Sequence, residues 1–154
     1  MNQNINIKII DNRIGTIFSF PKYSTLGSSG IDLRACCNKN IILNANKTIL
    51  LSSGIAIHIN DMLITGMIFP RSGLGHKYGV VLGNSVGIID SDYQGELLLS
   101  IWNRDKKKDF LIYPGMRIAQ LLFIPIIRPN FNFVSDFEKN TKRGFSGFGH
   151  TGND

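Results

Sequence analysis

Apolar residues in this 154-residue chain fall in short runs, many rich in isoleucine: INIKII, TIFSF, IDLRACC, KTILLSSGIAIHI, ITGMIF, VGIID, ELLLSIW, DFLIY, RIAQLLFIPII and NFNFV. Several alternate apolar with polar positions, the spacing that sends successive strand side chains to opposite faces. Gly, Asn, Asp and Pro punctuate the runs, and each favours a turn. No long stretch keeps the 3.6-residue period of an amphipathic helix. Many short strands at close spacing predict an all-β sandwich, jelly roll or barrel, in one domain without internal repeat or interdomain linker.

Three segments depart from this pattern. In PRSGLGHKYG, Pro70 to Gly79, Ser72 is placed to cap a short helix and Gly79 to end it in a left-handed conformation. Free N–H groups at such a helix start attract anions, and Arg71 and Ser72 sit beside them. Most capped helices bind nothing, so the segment alone does not name a ligand. In GNSVGIIDSDYQGELLLSIWN, Gly83 to Asn103, the residues Asp90, Ser91, Asp92, Tyr93, Gln94 and Gly95 fill a six-residue turn. They are either ordinary turn residues or the lining of a pocket. The tail RGFSGFGHTGND, Arg143 to Asp154, has four glycines and two phenylalanines. It reads as a mobile arm, residues 143–154, attached to a β domain of residues 1–142. Arg143 suits a phosphate and the aromatic rings suit a base, as expected of an arm that closes over a ligand.

Composition narrows the class. With 43% hydrophobic and 18% charged residues, the chain is globular and outside the disordered regime. The longest apolar stretches, such as Leu121 to Ile127, contain Pro125 and fall short of the roughly 20 residues that span a bilayer, so no membrane association is expected. The N-terminus lacks the pattern of a secretory signal, which makes the cytoplasm the expected location. Two adjacent cysteines, Cys36 and Cys37, are too few for a disulfide framework and wrongly spaced for zinc. They read as reduced and mostly buried. The net charge of +6 suggests an anionic partner without choosing among polynucleotide, membrane surface and polyphosphate. Part of the excess, Lys106 to Lys108, reads as a solvated hairpin loop.

Taken in order, SSGIDLRA (Ser28 to Ala35), PRSGLGHKYG, GNSVGIIDSDYQGEL (Gly83 to Leu97), PGMRIAQLLF (Pro114 to Phe123) and RGFSGFGHTG (Arg143 to Gly152) resemble the five motifs of the trimeric dUTPase family, the deoxyuridine triphosphate nucleotidohydrolases. The likeness covers nearly the whole chain. It implies a distorted β-barrel of jelly-roll type with one short helix. It also implies a homotrimer with active sites shared between subunits, Mg2+ as cofactor, and hydrolysis of dUTP to dUMP and pyrophosphate by water attack on the α-phosphorus.

The resemblance assigns roles residue by residue. Asp32 would hold the hydrated Mg2+; Arg71, Ser72 and Gly73 would cradle phosphates; Gln120 would be a neutral donor near them, or a structural residue of a buried strand. The third motif would form a hairpin around deoxyuridine. There Asn84 and nearby backbone would meet uracil, Tyr93 would lie on the deoxyribose and exclude a ribose, and Asp90 would orient and deprotonate the water. Gly87, Ile89 and Leu97 would complete the substrate contacts of that hairpin. Arg143 would bind the terminal phosphate, Phe148 would stack on uracil, and Gly149 would let backbone approach the triphosphate. Asp92 receives no role. Ser29, Ser146 and His150 depart from the commonest residues at their positions, which leaves a hydroxyl contact at position 150 unassigned. His58 and His76 match no ligand cluster. The rival readings are a dCTP deaminase of the same fold and, from another class, a β-sandwich that binds nucleic acid; no basic stripe interleaved with aromatics supports the second.

Overall fold

The structure, a computed structural model, describes residues 4–137, 141 and 143–147. Strands β1 (Asn6–Ile9), β2 (Ile31–Arg34), β3 (Ile41–Leu43), β4 (Thr48–His58) and β5 (Ile64–Pro70) precede helix α1 (Ser72–Tyr78). After it come β6 (Val80–Leu82), β7 (Gly87–Ile89), β8 (Glu96–Asn103), β9 (Phe110–Ile112) and β10 (Arg117–Pro125). Among the described residues the named strands pair only antiparallel. One sheet has the order β1-β4-β8-β6, a second β2-β10-β5-β7, and β3 pairs with β9 alone. The fold is all-β and jelly-roll-like, with sheets that do not close into a barrel.

Period-two alternation builds the core. β8 turns Leu97, Leu99, Ile101 and Asn103 inward, while Leu98 between them is half exposed. β2 buries Ile31 and Leu33 and leaves Asp32 and Arg34 on the outer face. Burial of each such Leu or Ile is worth about 1.5–3 kcal/mol, so these inward rows set which face each strand presents. Asn103 is the polar exception. Its Nδ2 donates to the Leu43 and Lys108 carbonyls at 3.1 and 2.8 Å, and its Oδ1 accepts from the Asp105 N–H at 3.1 Å. One fully buried amide thus joins β3, β8 and the loop before β9.

The lysines of that loop are exposed, as expected, although β8 and β9 pair with different strands and the loop closes no hairpin. Asp105 accepts from the N–H groups of Lys107 and Lys108, and these bonds hold its carboxyl below the usual range. Cys36 is buried and donates to the Ser53 carbonyl; burial pushes its thiol up to about 11. Cys37 is half-buried and both thiols are free. Among the described residues no helix is long and apolar enough to cross a membrane.

Several expectations need correction. TIFSF is not a strand: the chain there turns on the Arg13 carbonyl, which accepts from the N–H groups of Thr16, Ile17 and Phe18. NFNFV is not a strand either, because after Pro125 the chain has no ladder partner among the described residues and leaves Ile127, Phe131, Phe133 and Phe137 exposed. β3 and β6, three residues each, fall outside the apolar runs marked in the sequence. Ser72 does not cap α1. Arg71 occupies the N-cap in an extended conformation without a side-chain bond, and Ser72 is the first helical residue. Gly79 does end the helix at φ 69°, its N–H bonded to the Gly75 carbonyl.

The stretch expected as a hairpin is a crossover. β6 pairs with β8 in the first sheet, but β7 between them lies at the edge of the second, paired with β5 as Gly66↔Ile89, Met67↔Ile88 and Ile68↔Gly87. β7 and β8 therefore flank a gap instead of bonding to each other.

Candidate active site

The second sheet assembles one polar cleft. Asp32, Gln120 and Phe69 stand side by side on β2, β10 and β5, so their side chains share a face. Asp32 Oδ1 lies 2.9 Å from Arg71 Nε and its Oδ2 accepts from Arg117 Nη1 at 3.1 Å. Arg71 Nη1 also donates to the Arg117 carbonyl at 3.2 Å, which binds the end of β5 to the start of β10. Gln120 Nε2 donates to the Pro70 carbonyl at 3.0 Å and so holds the residue just before Arg71. Asp32, Arg71, Ser72, Gly73, Lys77 and Gln120 line a cleft of about 320 Å³. Two cations in the lining, and a third bonded to its only carboxylate, leave the cleft positive and suited to an anion.

The second cleft, about 280 Å³, opens where the crossover leaves one sheet for the other; Asn84, Gly87, Ile89, Asp90, Tyr93 and Leu97 line it. That volume lies near the lower end of the roughly 300–1,000 Å³ usual for small ligands. Tight turns shape both rims. Ser85 has φ 64°, and the Val86 N–H closes on the Asn84 carbonyl at 2.7 Å. At the other rim the Tyr93 N–H bonds the Asp90 carbonyl at 3.2 Å, and the Tyr93 hydroxyl donates to the Glu96 carbonyl at 2.9 Å. Thr65 Oγ1 donates to the Ile89 carbonyl at 3.0 Å and pins the end of β7. As an edge strand, β7 presents one row of backbone groups without a ladder partner among the described residues. Asp92 does not line this cleft but an adjoining one with Ser91 and Arg128, whose lining Asp90 shares.

The two clefts share no lining residue. Their chemistry differs: cations and a carboxylate in one, an amide, a phenol, a second carboxylate and open backbone in the other.

The dUTPase family model matches residues 17–152. The chain belongs to the dUTPase family. The deoxyuridine 5'-triphosphate nucleotidohydrolase of Blochmanniella pennsylvanica is 60% identical over 147 residues, covering 96% of this chain and 97% of the relative. That of Buchnera aphidicola subsp. Baizongia pistaciae is 58% identical over 148 residues, covering 96% and 97%. A mutant dUTPase of Staphylococcus bacteriophage 80alpha, solved with dUpNHpp, has the same fold at a TM-score of 0.83 and 22% identity, covering 98% and 99%. This chain is an enzyme of the same family, which favours the hydrolase reading over the deaminase.

Asp32, Arg71, Ser72, Gly73 and Gln120 gather in the first cleft, and Asn84, Gly87, Ile89, Asp90 and Tyr93 in the second. Leu97 differs in kind: it is 1% exposed and belongs to the core, whereas its neighbour Leu98 offers a half-exposed side chain to the same cleft. Both leucines line the cleft, one from each face of β8, because inward and outward positions alternate along the strand. Arg143 Nε donates to the Ser146 carbonyl at 3.0 Å, and residues 143–147 line neither cleft. Phe148 and Gly149 lie outside the described residues, as does His150. Sequence reasoning missed Arg117, Lys77 and Glu96. Arg117 sits three residues before Gln120 in the fourth motif, and Lys77 sits inside the second, so proximity to a motif was the available signal.

Proposed function

We propose that the chain hydrolyses dUTP to dUMP and pyrophosphate at sites completed between subunits of a homotrimer. The observation that carries this reading is the separation of the two half-sites: one chain has a phosphate-type cleft and a nucleoside-type cleft with no residue in common. A subunit boundary that sets one chain's first cleft against another's second cleft makes a whole site. An arm of residues 143–154 from a neighbour then closes it, with Arg143 on the terminal phosphate, Phe148 on the uracil and Gly149 giving backbone access. Trimerisation also supplies cover for the exposed apolar residues 126–137.

Within the second cleft, Asn84 and the unpaired backbone of β7 read the uracil edge. A cytosine reverses donors and acceptors there and leaves buried polar groups unpaired, a penalty that can reach about 10⁴-fold. Gly87 and Ile89 keep the backbone close, and Leu98 packs from β8. Tyr93 lies on the deoxyribose and fills the volume of a 2′-hydroxyl. Asp90 takes the proton of the attacking water as its oxygen bonds to the α-phosphorus and the α–β bridging oxygen leaves with pyrophosphate. General-base assistance is worth about 10²–10⁴-fold, so positioning and charge neutralisation supply the rest.

Asp32 and its surroundings fit Mg2+. Among the described residues there is no group of three or more His, Cys, Asp or Glu able to cage an ion. One hard carboxylate beside cations that favour phosphate suits an ion held mainly by water and substrate oxygens. Asp32 would hold it through water. When bound, Mg2+ neutralises triphosphate charge and polarises phosphoryl oxygens. Arg71 and Arg117, paired with Asp32 in the free chain, turn to the phosphates as the nucleotide enters, joined by Ser72, Gly73 and Gln120. The metabolic consequence is removal of dUTP before it enters DNA and supply of dUMP for thymidylate.

The test is pyrophosphate release from dUTP, dCTP, dTTP and UTP with Mg2+, in which dUTP should stand far above the rest. Ammonia from dCTP without pyrophosphate from dUTP would establish the deaminase; salt-sensitive oligonucleotide binding without turnover would establish the nucleic-acid reading. Co-refolding inactive Asp90→Asn with inactive Arg71→Ala subunits should restore part of the turnover, because some mixed sites receive both intact halves. No recovery would place the two clefts' functions within one chain.

A further inference from the structure

We propose that Glu96 is a positioning residue for deoxyribose selection, holding the Tyr93 ring in place from a bulge in β4; the inference rests on reading the second cleft as a deoxyuridine slot. Tyr93 is 42% exposed, so packing alone does not fix its ring. Its hydroxyl is fixed by one bond, to the backbone carbonyl of Glu96 at 2.9 Å. The place of the ring therefore depends on the place of Glu96.

Glu96 is itself anchored on the neighbouring strand. The β4–β8 ladder runs regularly from Thr48↔Trp102 to Ser52↔Leu98, then resumes only at Ala56↔Glu96. Residues 53–55 of β4 thus face the single residue 97 of β8, a bulge that removes backbone groups from the ladder. Gly54 sits in it at φ 73°, and the Glu96 carboxylate supplies what the ladder does not. Oε1 accepts from the Ser52 hydroxyl and, at 3.0 Å, from the Gly54 N–H, which Ser52 Oγ also accepts at 3.1 Å.

The anchor is rigid on its other side as well. The Gly54 carbonyl accepts from the N–H groups of Ile10 and Asp11 at 2.8 and 3.0 Å. A Cβ on Gly54 would lie 2.6 Å from Cys36 Sγ and 2.9 Å from both Asp11 Cβ and Ile14 Cδ1. The Asp11 carboxylate in turn grips Arg13, whose Nη1 donates to the Cys37 carbonyl at 2.9 Å. A continuous set of bonds runs from this ion pair through the bulge and Glu96 to the tyrosine of the sugar slot. The carboxylate needs only to accept, so its charge is not required. A carboxamide oxygen at the same place can accept the same two bonds.

The test compares kcat/KM for dUTP and UTP in the full chain and in Glu96→Ala, Glu96→Gln and Ser52→Ala, with thermal midpoints measured in parallel. A displacement near 1 Å can cost about 10²-fold in a positioned reaction, so Glu96→Ala should lower the dUTP-over-UTP ratio by about tenfold or more. KM for dUTP should rise more than kcat falls. Glu96→Gln should restore the ratio to within about threefold of the parent, since its side-chain oxygen can still accept both bonds. Should Glu96→Ala fail to fold, Ser52→Ala, which takes the hydroxyl from both Glu96 Oε1 and the Gly54 N–H but leaves the bond between Gly54 and Glu96, should shift the ratio part of the way. A folded Glu96→Ala or Ser52→Ala protein that loses thermal stability while keeping the parent's ratio would reduce Glu96 to a structural brace and overturn the inference. A parent chain with no preference for dUTP over UTP would instead overturn the slot reading itself, before any variant is compared.

Discussion

Gly95→Ala isolates the geometry of the proposed sugar slot from the stability of the fold. A Cβ at Gly95 would lie 2.4 Å from Tyr93 Oη, 2.6 Å from Cζ and 3.0 Å from Cε2, where ordinary contact begins at 3.4 Å. The ring must withdraw by 3.4 − 2.4, about 1 Å. Its bond to the Glu96 carbonyl, 2.9 Å in the native chain, then stretches beyond hydrogen-bonding range. Gly95 is not among the positive-φ glycines, so alanine meets no backbone strain and the effect is one of space alone. The lost neutral hydrogen bond costs about 0.5–1.5 kcal/mol, and the stiffer unfolded chain returns about 0.4–1 kcal/mol. Net stability should change by no more than about 1 kcal/mol, a few degrees in Tm. The same 1 Å can cost about 10²-fold where a group positions a reacting substrate. Steady-state pyrophosphate release with dUTP and UTP, beside a thermal melt, should therefore show a large fall in dUTP efficiency at nearly native Tm. In a Tyr93→Ala background the substitution should add almost nothing, because the two residues act through one contact. Efficiencies within about threefold of the parent for both nucleotides would refute the reasoning.

Three further outcomes follow from the same coordinates. Asn103→Ala strips the side-chain partner from two carbonyls and one N–H, of which only the bond to the Leu43 carbonyl is fully buried; at about 1–3 kcal/mol for a buried group left unpaired, urea unfolding should show a loss of at least about 1–3 kcal/mol, and a change within experimental error would mean water replaces the amide fully. Cys36, with its thiol pushed from 9.0 up to about 11, should react with a thiol reagent at pH 8 about hundredfold more slowly than free cysteine. Because the folded chain keeps that proton longer than the unfolded chain, the associated stability is intact below pH 9 and lost as pH rises towards 11. Cys36→Ala should flatten that part of the decline. Removing residues 143–154 should leave the folding midpoint unchanged while dUTP turnover collapses; an active truncate would make the segment a simple tail.

Much of the fold was legible because burial acts locally on a strand. The run ELLLSIW marked β8 as a strand, and the glycine of PRSGLGHKYG marked the end of the helix. The failures have both local and distant causes. TIFSF has strand-like composition, but turn bonds to the Arg13 carbonyl win in that segment. Ser72 has the right chemistry for a cap, yet Arg71, held by Asp32, takes that position. Leu97 and Leu98 cannot be assigned to core or cleft until the register of β8 is known, since a shift of one residue exchanges their faces.

Residue types and their order along the chain are what motifs record, so they carried the β class, the family and most polar groups of the two clefts, but not Lys77, Glu96 or Arg117. Tertiary structure alone decided that Asp32 is clamped by Arg71 and Arg117, residues 39 and 85 positions away in the chain (71 − 32 and 117 − 32). It also decided that the third motif crosses between sheets instead of folding on itself, and that Glu96 ties the tyrosine to a bulge on β4. Pairing partners and register depend on contacts distant in sequence, whose free energy exists only once both strands are in place.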